Sequence, residues 1–163
     1  MSSRFIQPNS YSCVPTSFAY LVYRQLGEDF KSVLKRILDL SEERFDIKKN
    51  GMEFDQLQQA AQELGYETQL SQAKPNSQIY LVGVASLPKN INYDPEIMHE
   101  SMREGSVQLS DKEYVFPFGH AIVVMESSDN LKIFDSFAGT EYFLPKDVLQ
   151  KSLERNTTYF SLK

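Results

Sequence analysis

The run Gln7-Pro8-Asn9-Ser10-Tyr11-Ser12-Cys13-Val14-Pro15-Thr16-Ser17 holds the chain's only cysteine and leads into an apolar-periodic segment. Phe18, Leu21, Val22 and Leu26 recur at helical spacing and Gly27 stands where a C-terminal cap belongs, so the pattern predicts a helix from about Cys13 to Leu26. Pro15 falls in its first turn, where proline is tolerated because the first amides have no intrahelical acceptor to lose. Cys13 then lies at the amino end, where the macrodipole and free N–H groups favour a thiolate over a thiol. That is the local setting of a nucleophilic cysteine.

A thiol nucleophile also needs an imidazole to draw off its proton and a third polar group to hold the imidazole's tautomer. The chain has two histidines. His99 sits in Glu96-Ile97-Met98-His99-Glu100-Ser101, a segment of solvated-helix character. His120 opens a β-branched run, His120 to Met125, which pairs by pattern with Leu131 to Phe134 across Ser127-Ser128-Asp129-Asn130 as a hairpin. Asp135 follows the second strand. In-register pairing about that turn brings the far ends of the hairpin together, within reach of a His120–Asp135 hydrogen bond. A cysteine, a general base and its orienter thus occur in order along the chain, at Cys13, His120 and Asp135.

Outward from these residues, Phe30, Val33, Leu34, Ile37 and Leu38 predict a second helix, and Phe54, Leu57, Ala60, Ala61 and Leu64, closed by Gly65, a third. Lys74-Pro75-Asn76-Ser77 breaks the pattern. Beyond Tyr66 come strands at Ile79 to Ala85, Glu141 to Phe143 and Thr158 to Leu162, a short helix or loop excursion at Asp94 to Arg103, and a helix from about Pro145 to Leu153. This is an α+β order, with a helical part over about 1–65 and an antiparallel sheet over about 66–163. The length of 163 residues suits one core, and we expect one domain, 1–163.

Composition narrows the function classes. Hydrophobic residues make up 41% and charged residues 24%, as in an ordinary globular protein. One cysteine leaves neither an internal disulfide framework nor a cysteine-rich zinc shell, so we expect no metal and no cofactor. A free thiol suits a reducing compartment, and the opening Met1-Ser2-Ser3-Arg4-Phe5-Ile6 has no apolar core of signal-peptide length. The expected location is the cytoplasm, or outside the cell after export without a cleaved signal. No apolar run approaches a membrane span, and a net charge of -5 without a Lys/Arg cluster speaks against a phosphate-tracking surface. Neither membrane nor nucleic acid is an expected partner.

At these residues the chain resembles the papain-like cysteine peptidases, and among them the bacteriocin-processing, double-glycine-leader peptidases. Three features carry the likeness: Gln7 six residues before Cys13; Ser12-Cys13-Val14-Pro15-Thr16-Ser17 opening a helix; and Gly119-His120-Ala121-Ile122-Val123-Val124 followed by a turn and Leu131-Lys132-Ile133-Phe134-Asp135-Ser136. The segment Met52 to Tyr66 is similar to the helix those domains carry between cysteine and sheet. The resemblance implies a papain-like fold, a protein or peptide substrate, and Gln7 as an oxyanion donor beside the triad of Cys13, His120 and Asp135. Two positions depart from the pattern, with Val14 in place of a glycine after the cysteine and Ser136 in place of a proline after the aspartate. The stretch Asn90 to Glu113 is longer than the family pattern before the histidine strand, and Asn90 to Tyr114 is a candidate lid.

Read as chemistry, the set implies thiolate attack on a carbonyl carbon, an oxyanion held by the Gln7 amide and the Cys13 N–H, and a thioester intermediate. With water as acceptor the outcome is peptide or isopeptide hydrolysis, in a standalone maturation peptidase or bacterial effector. With an amine acceptor the same residues make an acyltransferase or transglutaminase, and with ammonia as leaving group a deamidase. A catalytically silent papain-like domain that binds peptides is the reading from another class. Ser10, Ser12 and Thr16 read as helix-start hydrogen-bonders, and Tyr11 as an exposed aromatic beside a loop, with the substrate entrance as the alternative.

Overall fold

The computed structural model describes residues 5–127 and 130–163. The readings placed on Met1 to Arg4 and on the turn residues Ser128 and Asp129 lie outside them.

Four helices come first: α1 Cys13–Leu26, α2 Phe30–Arg44, α3 Ile47–Asn50 and α4 Phe54–Glu63. The end of α1 is set by Gly27, whose φ of 73° places it in the left-handed region while its N–H bonds to the Tyr23 carbonyl. Asp29 caps α2 by accepting the Ser32 N–H, and Glu53 with Gln56 forms a capping box at α4. Seven strands and two helices follow: β1 Thr68–Ser71, β2 Ile79–Pro88, α5 Pro95–Arg103, β3 Gln108–Leu109, β4 Glu113–Glu126, β5 Asn130–Asp135, β6 Thr140–Pro145, α6 Lys146–Ser152 and β7 Tyr159–Leu162. The sheet is antiparallel in the order β1-β7-β2-β4-β5-β6, with β3 on β4. The expected α+β division holds, with α5 where a short helix or loop excursion was expected and α6 where a helix was expected in the carboxy-terminal part.

Strand alternation sorts the core onto two faces. Leu81, Ala121, Val123, Phe134 and Phe160 pack against α1, α2 and α4 through Phe18, Leu21, Val33, Ile37 and Leu57. Val82, Val84, Ile122, Val124 and Ile133 pack on the opposite face with Tyr93, Ile97, Met98, Phe116, Phe137 and Leu149. Phe18 is fully buried between the rings of Tyr66 and Phe160, and Tyr20 stacks on Phe134 at 3.7 Å. Each fully buried ring contributes about 1.5–3 kcal/mol, so the first helix is locked to the sheet by its own apolar stripe. A bond from the Ser17 hydroxyl to the Ala121 carbonyl at 3.2 Å adds a polar tie.

Two elements differ from the sequence expectation. The histidine strand begins well before His120, at Glu113, because its first half pairs with β3 and with the end of β2 beyond a register shift between Val84 and Ser86. The stretch Asn90 to Glu113 is more than an excursion: it contributes buried Tyr93, Ile97, Met98 and Val107 to the second face of the core, and its Glu100 and Glu104 bond to Ser10 in the loop before Cys13.

Candidate active site

Cys13 is the first residue of α1, a free, half-buried thiol following the N-cap Ser12. The Ser12 hydroxyl donates to the Asn9 carbonyl at 3.1 Å and makes no capping bond to the helix. Ser10 turns outward to the Glu104 carboxylate, and the buried Thr16 hydroxyl has no hydrogen-bond partner among the described residues. The helix-start role expected for these three is therefore not the one they take: the loop before Cys13 bends back on itself and spends its hydroxyls elsewhere. Val14 is buried in the core behind the cysteine.

The β4–β5 pairing sets Val123 opposite Phe134 and Val124 opposite Ile133. Continued by one step it puts Ile122 opposite Asp135, so His120 reaches Asp135 diagonally, and its Nε2 lies 2.7 Å from Asp135 Oδ1. His120 is 2% exposed, its ring stacked on Phe137 at 4.2 Å and tilted against Phe116 at 4.8 Å. Those rings hold its plane. The other nitrogen, Nδ1, is buried without a protein hydrogen bond of standard geometry. On the imidazole's charge, burial acts to lower the pKa, but the Asp135 charge and hydrogen bond, with a smaller contribution from the Cys13 thiol, carry it up to about 9.

Asp135 is fully buried and accepts four hydrogen bonds. Besides His120 these come from the Tyr93 hydroxyl at 2.7 Å, the Tyr142 hydroxyl at 3.0 Å and the Phe137 N–H at 3.0 Å. Burial raises its pKa, but His120 and these donors outweigh it, and the carboxylate is held below its usual range. The two tyrosines are displaced the other way, pushed well up by burial and by the same carboxylate. Tyr93 comes from the stretch before α5 and Tyr142 from β6, and neither was legible as a site residue, because no local period announces an aromatic that reaches across elements.

Gln7 is 1% exposed, far from the solvated tail position its place in the sequence suggests. Its Oε1 accepts from the Ser136 hydroxyl and its Nε2 donates to the Asn9 carbonyl, each at 2.6 Å, while its backbone N–H bonds to the Ser136 carbonyl. The serine that departs from the family pattern after Asp135 is thus the residue that fixes Gln7. The structure hydrogen-bonds His120 to Asp135 and Gln7 to Ser136, two pairs joined by the Asp135–Ser136 peptide bond, and the Cys13 thiol lies within electrostatic reach of the imidazole. His99 is exposed on α5, outside these pairs. Tyr11 is half-buried beside the loop, and its hydroxyl pKa is raised by partial burial, then by Glu42.

Among the described residues no cluster of His, Cys, Asp and Glu could hold a metal ion, and no helix is long and apolar enough to cross a membrane.

No family model matches the sequence, and no curated protein matches it. Among solved structures, it is similar to a double glycine motif protease from an AMS/PCAT transporter, crystallised in complex with the leader peptide. The TM-score is 0.57 at 15% identity, and the match covers 97% of this chain and 88% of that one. A likeness of this extent and this low identity is a likeness of fold: the chain has the papain-like peptidase fold, helical mostly in its amino-terminal half and completed by an antiparallel sheet.

Proposed function

We propose that the chain is a cysteine-dependent hydrolase acting on peptide or isopeptide bonds of a protein substrate, with Cys13 as nucleophile, His120 as general base and acid, Asp135 as orienter and Gln7 as oxyanion donor. The observation that carries this reading is the division of labour on the imidazole. Nε2 is committed to a buried carboxylate, so Nδ1 is left for the thiol at the start of α1. The fold of the neighbouring peptidase supports it.

The thiolate attacks the carbonyl carbon and the C=O pair moves onto oxygen, where a hydrogen of the Gln7 amide and the Cys13 N–H take up the charge. The imidazolium gives its proton to the leaving amine as the C–N bond breaks and a thioester remains. Water, deprotonated by His120, then cleaves the thioester and restores the thiol. Asp135 stays ionised throughout and holds the ring's tautomer. The neighbour is in complex with a leader peptide, which supports a peptide as the substrate form.

The test is the rate of Cys13 alkylation by iodoacetamide, followed by intact mass from about pH 4 to about pH 9, in wild type and in His120→Ala. Fast labelling of wild type at neutral and mildly acidic pH, slowed about a hundredfold in the variant, is the expected result. Equal rates in the two proteins would sink the hydrolase in favour of a silent peptide-binding domain.

A further inference from the structure

Beyond the His120–Asp135 and Gln7–Ser136 pairs, one carboxylate stands against the histidine strand with no lysine or arginine paired to it among the described residues. Glu154 follows α6, and its backbone N–H bonds to the Gly83 carbonyl at 3.2 Å, next to a bridge between Val84 and Leu153. Its side chain crosses over two glycines. A Cβ on Gly83 would stand 2.8 Å from the Glu154 carboxyl carbon, and a Cβ on Gly119 would collide outright with Oε1. Gly83 shares its face with Leu81, and its strand partner is Ala121, so the carboxylate lies on the side of the sheet that faces α1. Gly119 is the residue immediately before His120, with a φ of 80°.

Glu154 is half-buried, and among the described residues no lysine or arginine pairs with it. Its pKa is raised, first by burial and then by Glu53 at the start of α4, with His120 opposing. Through Gly119 the carboxylate lies one residue from the catalytic imidazole along β4. A carboxylate kept partly dry over bare backbone, with no lysine or arginine paired to it among the described residues, is a site prepared for a cation.

We propose that Glu154 is a specificity-determining residue of the cleft, which receives a lysine or arginine side chain of the substrate within two positions of the scissile bond. The inference rests on the hydrolase reading above. Glycine at positions 83 and 119 lets the carboxylate lie close against the sheet, where a side chain would fill its place. The same feature rejects an acidic residue at that place, through like charge in a poorly solvated setting.

The experiment uses three peptidyl vinyl sulfones that alkylate Cys13 and differ only in the two residues before the electrophile: lysine at the first, lysine at the second, or norleucine at both. In wild type one of the lysine probes should label about tenfold faster than the norleucine probe, a ratio expected of one partly desolvated ion pair. Glu154→Gln should bring the ratio to about one and Glu154→Lys should invert it, each ratio being taken within one protein so that any effect of residue 154 on the imidazole cancels. Raising salt from about 0.05 M to about 0.5 M should shrink the wild-type ratio, a readout that needs no variant to fold. Probes that label at equal, His120-dependent rates would overturn the role of Glu154 and leave the hydrolase standing. Labelling by none of them, or labelling indifferent to His120→Ala, would overturn both.

Discussion

Asp135→Ala is expected to destabilise the protein by about 3–5 kcal/mol, the cost of stranding buried partners around a missing charge. The side chain is fully buried and is the common acceptor for His120 Nε2, the Tyr93 and Tyr142 hydroxyls and the Phe137 N–H. Removing it leaves two hydroxyls and a ring N–H in a dry site with nothing to receive them. It also frees three elements from one another, since the donors come from the stretch before α5, from β4 and from β6. Urea unfolding at neutral pH measures this directly, and a loss below about 1 kcal/mol would mean that the network is not holding these elements together. Asp135→Asn separates shape from charge. It keeps an acceptor oxygen for the tyrosines, so its stability loss should be smaller. The imidazole nevertheless loses the charge that lifts it, and burial then pulls its pKa down. Cys13 labelling at neutral pH should fall in Asp135→Asn nearly as far as in His120→Ala.

The parts of this site that were legible in the sequence are those whose signals are local. Cys13 at a helix start is announced by Pro15, the period of Phe18, Leu21 and Val22, and Gly27, all within one helix. The approach of His120 to Asp135 follows from a hairpin, because antiparallel register turns sequence spacing into spatial distance. Gln7 was legible only through resemblance. Its burial is decided by Ser136, 129 residues away, and hydrogen bonds of that span leave no periodic trace. Tyr93 and Tyr142 were missed for the same reason. The stretch Asn90 to Glu113 looked like an excursion because its polar residues outnumber the apolar ones. Yet Tyr93, Ile97 and Met98 suffice to seat it on the second face of the sheet, where Tyr93 reaches Asp135. Glu154 offered even less, since the two glycines that make room for it lie on β2 and β4 and are distinguished only by what comes near them.

The His120–Asp135 pair also makes the stability of the fold depend on pH, and the direction follows from the shifts. The imidazole's folded pKa of about 9 lies above its unfolded value of 6.5, so the folded state holds the proton more tightly. Its contribution is complete below pH 6.5 and declines as pH rises through about 9, where the proton has left both states. A shift of this size corresponds to about 3 kcal/mol, and the pair is counted once, through the histidine. Asp135 moves the opposite way. Its folded pKa is below 3.8, so its stabilisation is complete above that value and is lost as pH falls through the folded one. Unfolding free energy should therefore show a shoulder on the alkaline side, falling by about 3 kcal/mol between pH 6.5 and about 9. The control is His120→Gln, which cannot titrate and should remove that slope whatever it does to absolute stability. A wild-type curve flat across this interval, or an unchanged slope in His120→Gln, would mean that the imidazole is not held as a cation by Asp135. The thiol would then face a neutral ring in the resting protein, and the rise in Cys13 labelling with pH would follow the thiol alone.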